Sequence, residues 1–425
     1  MTAKSAPKKV PSVTLVLGAG VSKKLVPEWD ELADGVVEAC NAGDQLKSSS
    51  RPRCERLPND NQVRLELAWR ALRDEYVARA LAEKKADGRN IGERMLALET
   101  KVEKAWFETL RAEIYPKNRQ PYLDARHAGN HSGETSPSTT LNAIVQLLTE
   151  GDDARPIQRV VTFNADDWLE YGLTRTVEKD DSERGATKFH RQFRVVSQPT
   201  YGPNSLVRVQ PDSDDDTSLR SRIPIIHAHG LLCHPAENKQ ATASYATSNQ
   251  QGRPPPYDAP NMLVFRDLDY WRMTSNATSF ANHVMLNALS TSRCVFVGLS
   301  MRDLNLLRWF GTLAAEYATA WQDRWRLHFD VGDDRVGAAD AWARRSDSHV
   351  WLTDSRDPVL EKMLEYRGVR QLTTNWSTST GPDSVGERLR EALEYKKSPD
   401  ATASPAKAAK RSAPNSLKKK PARKR

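Results

Sequence analysis

Chemistry in this chain concentrates where runs of apolar residues stop. In Ile225-Ile226-His227-Ala228-His229-Gly230 a strand pattern ends in two histidines at alternate positions, which share one face of an extended strand. A strand-end imidazole beside a glycine suits a general base, with an ordinary pKa of about 6.5. A core histidine with a satisfied hydrogen bond uses the same residue type. A metal pair is the competing reading, and no His-Glu-x-x-His motif or cysteine partner supports it.

A second strand pattern, Arg159 to Phe163, runs into Asn164-Ala165-Asp166-Asp167-Trp168-Leu169-Glu170. A carboxamide both donates and accepts, so Asn164 can hold a hydroxyl and a water at once, with Asp166 fixing the ligand or the Asn. An Asx turn leading into a helix N-cap is the alternative. The third stretch is Val13-Thr14-Leu15-Val16-Leu17-Gly18-Ala19-Gly20-Val21-Ser22, a buried-strand pattern broken by glycines, with helical periodicity resuming near Trp29. Strand, glycine turn and helix in that order form a phosphate cradle in parallel α/β sheets: the bare backbone of Gly18, Ala19 and Gly20 approaches the ligand and Ser22 adds a hydroxyl. The dinucleotide fingerprint wants a third glycine where this chain has Lys23. The fourth is Val297-Gly298-Leu299-Ser300-Met301-Arg302-Asp303-Leu304-Asn305-Leu306, where Gly298 and Ser300 suit a ligand and Asp303 suits either a ligand or a helix cap.

The elements that must carry these groups alternate between strand and helix. Strands are expected at Thr14–Leu17, Arg159–Phe163, Ile223–Ala228, Met262–Phe265, Arg293–Val297, Leu327–Val331 and His349–Leu352, with a broken pair within 174–222. Helices are expected from Trp29, over 61–115 as a two-helix insertion divided near Gly88, and at 140–148, 164–173, 268–273, 279–289, from Asp303, 359–366 and 385–395. The alternation predicts an α/β fold, a doubly wound parallel sheet in a single domain over 12–395.

Bulk properties narrow the class. No segment approaches the ~18–20 apolar residues of a membrane span, and the basic start of the chain lacks the apolar stretch of a secretory signal. A cytoplasmic protein is therefore expected. Cys40, Cys54, Cys233 and Cys294 form no Cys-x-x-Cys pair, which speaks against a zinc ribbon or a disulfide framework. The net charge of +8 is a matter of placement. Residues 396–425 hold 11 Lys or Arg against a single Asp, so residues 1–395 sum to −2. That Ala-, Pro- and Lys-rich tail is expected to be disordered, like the lead-in 1–11. Its charge suits non-specific nucleic-acid contact, although no aromatic residues interleave the lysines.

Taken together and in order, G-A-G-V-S, T-F-N-A-D-D-W-L-E, H-A-H-G and G-L-S-M-R-D-L-N-L resemble the sirtuin-like domain family, in particular its bacterial anti-phage defence branch. The resemblance spans Thr14 to Phe310. It implies a Rossmann-like fold that takes NAD as substrate. Gly18, Ala19, Gly20 and Ser22 would lie at the phosphates, Asn164 and Asp166 at the nicotinamide ribose, and Gly298, Ser300 and Asp303 on the adenosine side. His229 would be the catalytic histidine, and His227 has no implied role. Family deacylases carry a four-cysteine zinc module between the last two motifs, whereas that interval here holds Cys233 and Cys294 only. Val26-Pro27-Glu28-Trp29-Asp30 also replaces the deacylase Ile-Pro-Asp-Phe-Arg. The resemblance thus implies NAD hydrolysis without a metal. It further implies a homo-oligomer gated in trans, for example by a HerA-like ATPase or a short Argonaute. An NAD or ADP-ribose sensor without turnover is the alternative.

Overall fold

The computed structural model describes residues 12–23, 25–47, 60–82, 91–115, 138–149, 157–173, 193–197, 223–232, 263–275, 279–303, 305–313, 315, 349–365, 367–377 and 384–394. The strands are β1 (Val13–Leu17), β2 (Ile157–Thr162), β3 (Phe193–Ser197), β4 (Ile223–His227), β5 (Arg293–Val297), β6 (His349–Thr353) and β7 (Val369–Thr373). They pair in parallel throughout, in the order β3-β4-β2-β1-β5-β6-β7. With the outer β3 set aside, the other six run 3-2-1-4-5-6, a Rossmann-like arrangement.

Burial explains the sequence of the central strands. Every residue of β1, β5 and β6 is buried, as a parallel sheet covered on both faces requires. On one face Leu15, Leu17, Val160 and Ile225 join a core with α1 (Trp29–Ala39), α2 (Asp60–Ala82), α3 (Ile91–Ile114), α4 (Thr139–Thr149) and α8 (Val385–Glu394). On the other, Val16, Val161 and Phe296 pack with α5 (Asp267–Ser275), α6 (Phe280–Thr291), helical residues 305–313 and α7 (Pro358–Glu365). Helix α1 starts where Glu28 and Glu31 form a reciprocal capping box and turns Leu32, Ala33, Val36 and Val37 inward.

The two helices expected over 61–115 are α2 and α3, and both pack into the main core. Leu65, Trp106 and Leu110 belong to the same core as β1. Arg64 of α2 is also fully buried, satisfied by Asp34, Asn61 and the Leu46 carbonyl.

Two expectations are corrected. Residues 263–265 form no strand. Val264 N–H donates to the carbonyl of His229 (2.9 Å), a link to a turn rather than to the ladder. The edge strand β7, Val-Arg-Gln-Leu-Thr, was not expected. Its half-buried polar residues gave little apolar signal, and its place is set by pairing with β6. The strand expected at Leu327–Val331, the acidic loop 212–216, the loop 234–260, the lead-in 1–11 and the tail 396–425 lie outside the described residues. Among the described residues no helix is long and apolar enough to cross a membrane.

Candidate active site

Register brings the four motifs together. Leu17 lies opposite both Thr162 and Val297, and Thr162 opposite His227, so β1, β2, β4 and β5 end on one level. The residues that follow leave the sheet along a common edge. They stay laced by Gly18 N–H to Val297 O, Phe163 N–H to Leu17 O and Ala228 N–H to Thr162 O, each 2.9 Å. Sheet order reverses between β1 and β5, which places a crevice at the carboxyl ends of these strands. A cleft of about 630 Å³ opens there. Gly18, Ala19, Gly20, Asn164, Asp166, His229, Gly298, Ser300 and Asp303 all line it. Of the expected site residues, Ser22 alone is not among them.

The glycines of the floor serve a purpose the sequence reading did not assign. Gly298 has φ +69°, and a Cβ there would stand 2.6 Å from the Val21 nitrogen. A Cβ on Gly20 would stand 2.9 Å from the Gly298 Cα. The loops after β1 and β5 therefore touch backbone to backbone, a contact only glycine permits. That contact uses the Gly20 N–H, which donates to Gly298 O (3.0 Å), and Gly18 N–H is held by Val297. Between them Ala19 is exposed. The cradle offered to an anion is thus narrower than the motif implied.

Ser22 is 1% exposed and sits behind the cleft, not in it. Its hydroxyl donates to Asp166 Oδ2 (2.8 Å) and accepts from Asn164 Nδ2 (2.8 Å). This fixes the carboxamide: its NH2 faces inward, and Oδ1 is buried with no hydrogen-bond partner among the described residues. Asn164 lines a ligand-sized cleft, and an orphaned acceptor on such a residue calls for a donor such as a hydroxyl or water. Burial pushes the Asp166 carboxyl up to about 6, against the opposing bonds from Ser22 and the Trp168 N–H. Asp303 is raised in the same direction by burial and also caps the Asn305 N–H (2.7 Å).

His229 is 5% exposed and lines the cleft between the rings of Phe163 (centroids 4.8 Å apart) and Tyr270 (5.4 Å), both edge-on. Its ring makes no hydrogen bond among the described residues. Desolvation pulls its pKa down to about 3, far below the ordinary value expected of a general base, so the imidazole is neutral at any physiological pH but only weakly basic. Phe163 in turn stacks on Trp309, whose Nε1–H donates to Asn282 Oδ1 (2.6 Å).

The two histidines do not share one environment, contrary to the expectation from strand alternation. Strand β4 ends at His227, and Ala228-His229 turns into Gly230 at φ +87°. His227 is 1% exposed and hydrogen-bonded at both nitrogens, to the Asn164 carbonyl (Nδ1, 3.0 Å) and to Glu170 Oε1 (Nε2, 2.6 Å).

Neither a protein-family model nor a curated protein matches this chain. The site is therefore read from its own geometry. Among the described residues no group of three or more His, Cys, Asp or Glu side chains converges as a metal ion would need.

Sequence reasoning missed the supporting residues. The hydroxyl of Tyr115, just past α3, shares its one hydrogen between Asp167 Oδ1 (2.9 Å) and the Leu232 carbonyl (2.8 Å) and accepts from Asp167 N–H (3.0 Å), tying the loops after β2 and β4 to the helical pair. Ser138 caps α4 through Leu141 N–H (3.2 Å) while donating to the Val21 carbonyl (2.6 Å). Nothing local in the sequence marks Tyr115, whose partners lie more than fifty positions away; Ser138 offers only an ordinary helix N-cap signal, which says nothing of its bond to Val21.

Proposed function

We propose that this protein is an NAD hydrolase that cleaves the nicotinamide–ribose bond. One observation carries the reading. Asn164, whose carboxamide oxygen is buried without a hydrogen-bond partner among the described residues, and a neutral, desolvated imidazole line the same cleft, at the switch point of a Rossmann-like sheet and beside a glycine floor. In this reading the bond from the ribosyl carbon to the pyridinium nitrogen breaks and its electron pair leaves with neutral nicotinamide. Water attacks the oxocarbenium-like centre, giving ADP-ribose and one proton. Asn164 Oδ1 accepts a hydrogen bond from that water or from a ribose hydroxyl. His229 accepts the proton, directly or through a ribose hydroxyl, and its aromatic neighbours keep bulk water from the reacting centre. Ala19 N–H and the hydroxyl of Ser300 are the groups offered to the pyrophosphate and adenosine half.

The test is incubation with NAD, following free nicotinamide. His229→Ala and Asn164→Ala are each expected to lose about 10²–10⁴-fold in turnover while staying folded. Full turnover in either folded variant removes that residue from the mechanism. The four-motif resemblance also supports gating by self-assembly or by a second protein. Nicotinamide release is then expected to rise when neighbouring gene products are added.

A further inference from the structure

We infer that His227 and Glu170 form a positioning pair that fixes Asn164 from behind, holding the Asn164 main-chain carbonyl while Ser22 holds its side chain. The inference rests on the reading of Asn164 as the group that orders water and ribose. Its geometry is independent of that reading. Asn164 is gripped at two points, its carbonyl by His227 Nδ1 (3.0 Å) and its amide by Ser22 Oγ (2.8 Å). Its backbone N–H is also taken, by Thr162 Oγ1 (3.0 Å). The one polar atom left over is Oδ1.

Proton bookkeeping defines the state of the pair. A main-chain carbonyl only accepts, so Nδ1 carries a hydrogen. A carboxylate also only accepts, so the 2.6 Å contact with Glu170 puts a second hydrogen on Nε2. His227 is then an imidazolium buried against a carboxylate. The charged groups facing it among the described residues are Glu170, from helical residues 168–173, and Asp166, from the loop after β2; both favour the cation against the opposing effect of burial, and the balance lies above the ordinary histidine value. Thr162, its register partner on β2, is uncharged.

The arrangement fails in one direction of pH. As pH rises, Nε2 loses its proton and a lone pair faces the Glu170 carboxylate. The pair opens and the carbonyl of Asn164 loses its anchor. With Gln at position 170, an amide N–H donates to the neutral Nε2 and the contact survives.

The experiment combines ¹⁵N-histidine and side-chain amide NMR of the full chain with nicotinamide release between pH 6 and about 9.5. His227 and Asn164 signals are assigned with His227→Gln and Asn164→Ala. Wild-type His227 is expected to be doubly protonated at pH 7, and its deprotonation to move the Asn164 side-chain amide resonances at the same pH. His227→Gln is expected to lower kcat by about 10- to 100-fold with KM within about threefold. Glu170→Gln is expected to remove the alkaline fall in kcat that the wild type shows. A neutral His227 at pH 7, or a titration that leaves the Asn164 amide unmoved, overturns the inference whether or not the protein turns over NAD. Wild-type kcat and pH profile in both variants overturn it as well. Absence of nicotinamide release, with the coupled titration present, defeats the functional reading and leaves the pair standing.

Discussion

Asp166 carries the clearest titration of the site. Its folded pKa of about 6 lies above the ordinary 3.8, so the fold favours the protonated carboxyl. The stability this lends is complete below about pH 4 and is lost as pH rises through 6, a penalty of up to about 3 kcal/mol at neutral pH. Asp166→Asn is therefore expected to raise the melting temperature above pH 6 and to match the wild type below pH 4, as thermal unfolding at the two pH values will show. The same substitution is expected to remove an acid limb near pH 6 from kcat/KM. His229, with a pKa near 3, contributes no limb there. The sequence marked both residues, because polar groups at a strand end stand out against the apolar run before them. It could not say that Ser22 faces Asp166 and Asn164 rather than a phosphate, since its partners lie more than 140 positions away.

Among the elements, the loops after β1 and β5 act as one unit. Gly298→Ala forces a side chain onto a positive φ and into the Val21 nitrogen, and is expected to cost about 2 kcal/mol or more. A denaturant midpoint lowered accordingly, with loss of NAD binding, is the expected result. Tyr115 joins the helical pair to the loops after β2 and β4. Tyr115→Phe removes the one hydroxyl hydrogen that Asp167 and the Leu232 carbonyl share, at a cost of about 1–3 kcal/mol. Faster amide exchange over 164–168 is the expected signature. The central strands were legible because burial on both faces demands unbroken apolar runs. Strand β7 was not, because an edge strand with half-buried Arg370 and Gln371 reads like a loop until its partner is known.

At the scale of the whole molecule, the basic charge and the proposed catalysis belong to different parts of the chain. Residues 396–425 carry a charge of +10 on a chain that is otherwise −2. If the tail contacts nucleic acid rather than serving as a solvated, solubilising segment, deleting it is expected to abolish salt-sensitive binding to DNA while leaving nicotinamide release from NAD unchanged, which filter binding at two ionic strengths and a product assay will separate. The overall wind of the sheet followed from the alternation of apolar runs with helical periods. The identity of a partner did not, because assembly surfaces are built from exposed residues that obey no fold-wide period.

The meeting of Gly18, Gly20 and Gly298 has a consequence for how such a pocket diversifies. Its base is made of main chain, and main chain looks the same whatever the gene encodes. Point changes there can obstruct the pocket but cannot retune it. On the proposed reading, a shift in which nucleotide is accepted must arise instead in the side chains of the walls, such as Phe163, Tyr270, Ser300 and Asp303.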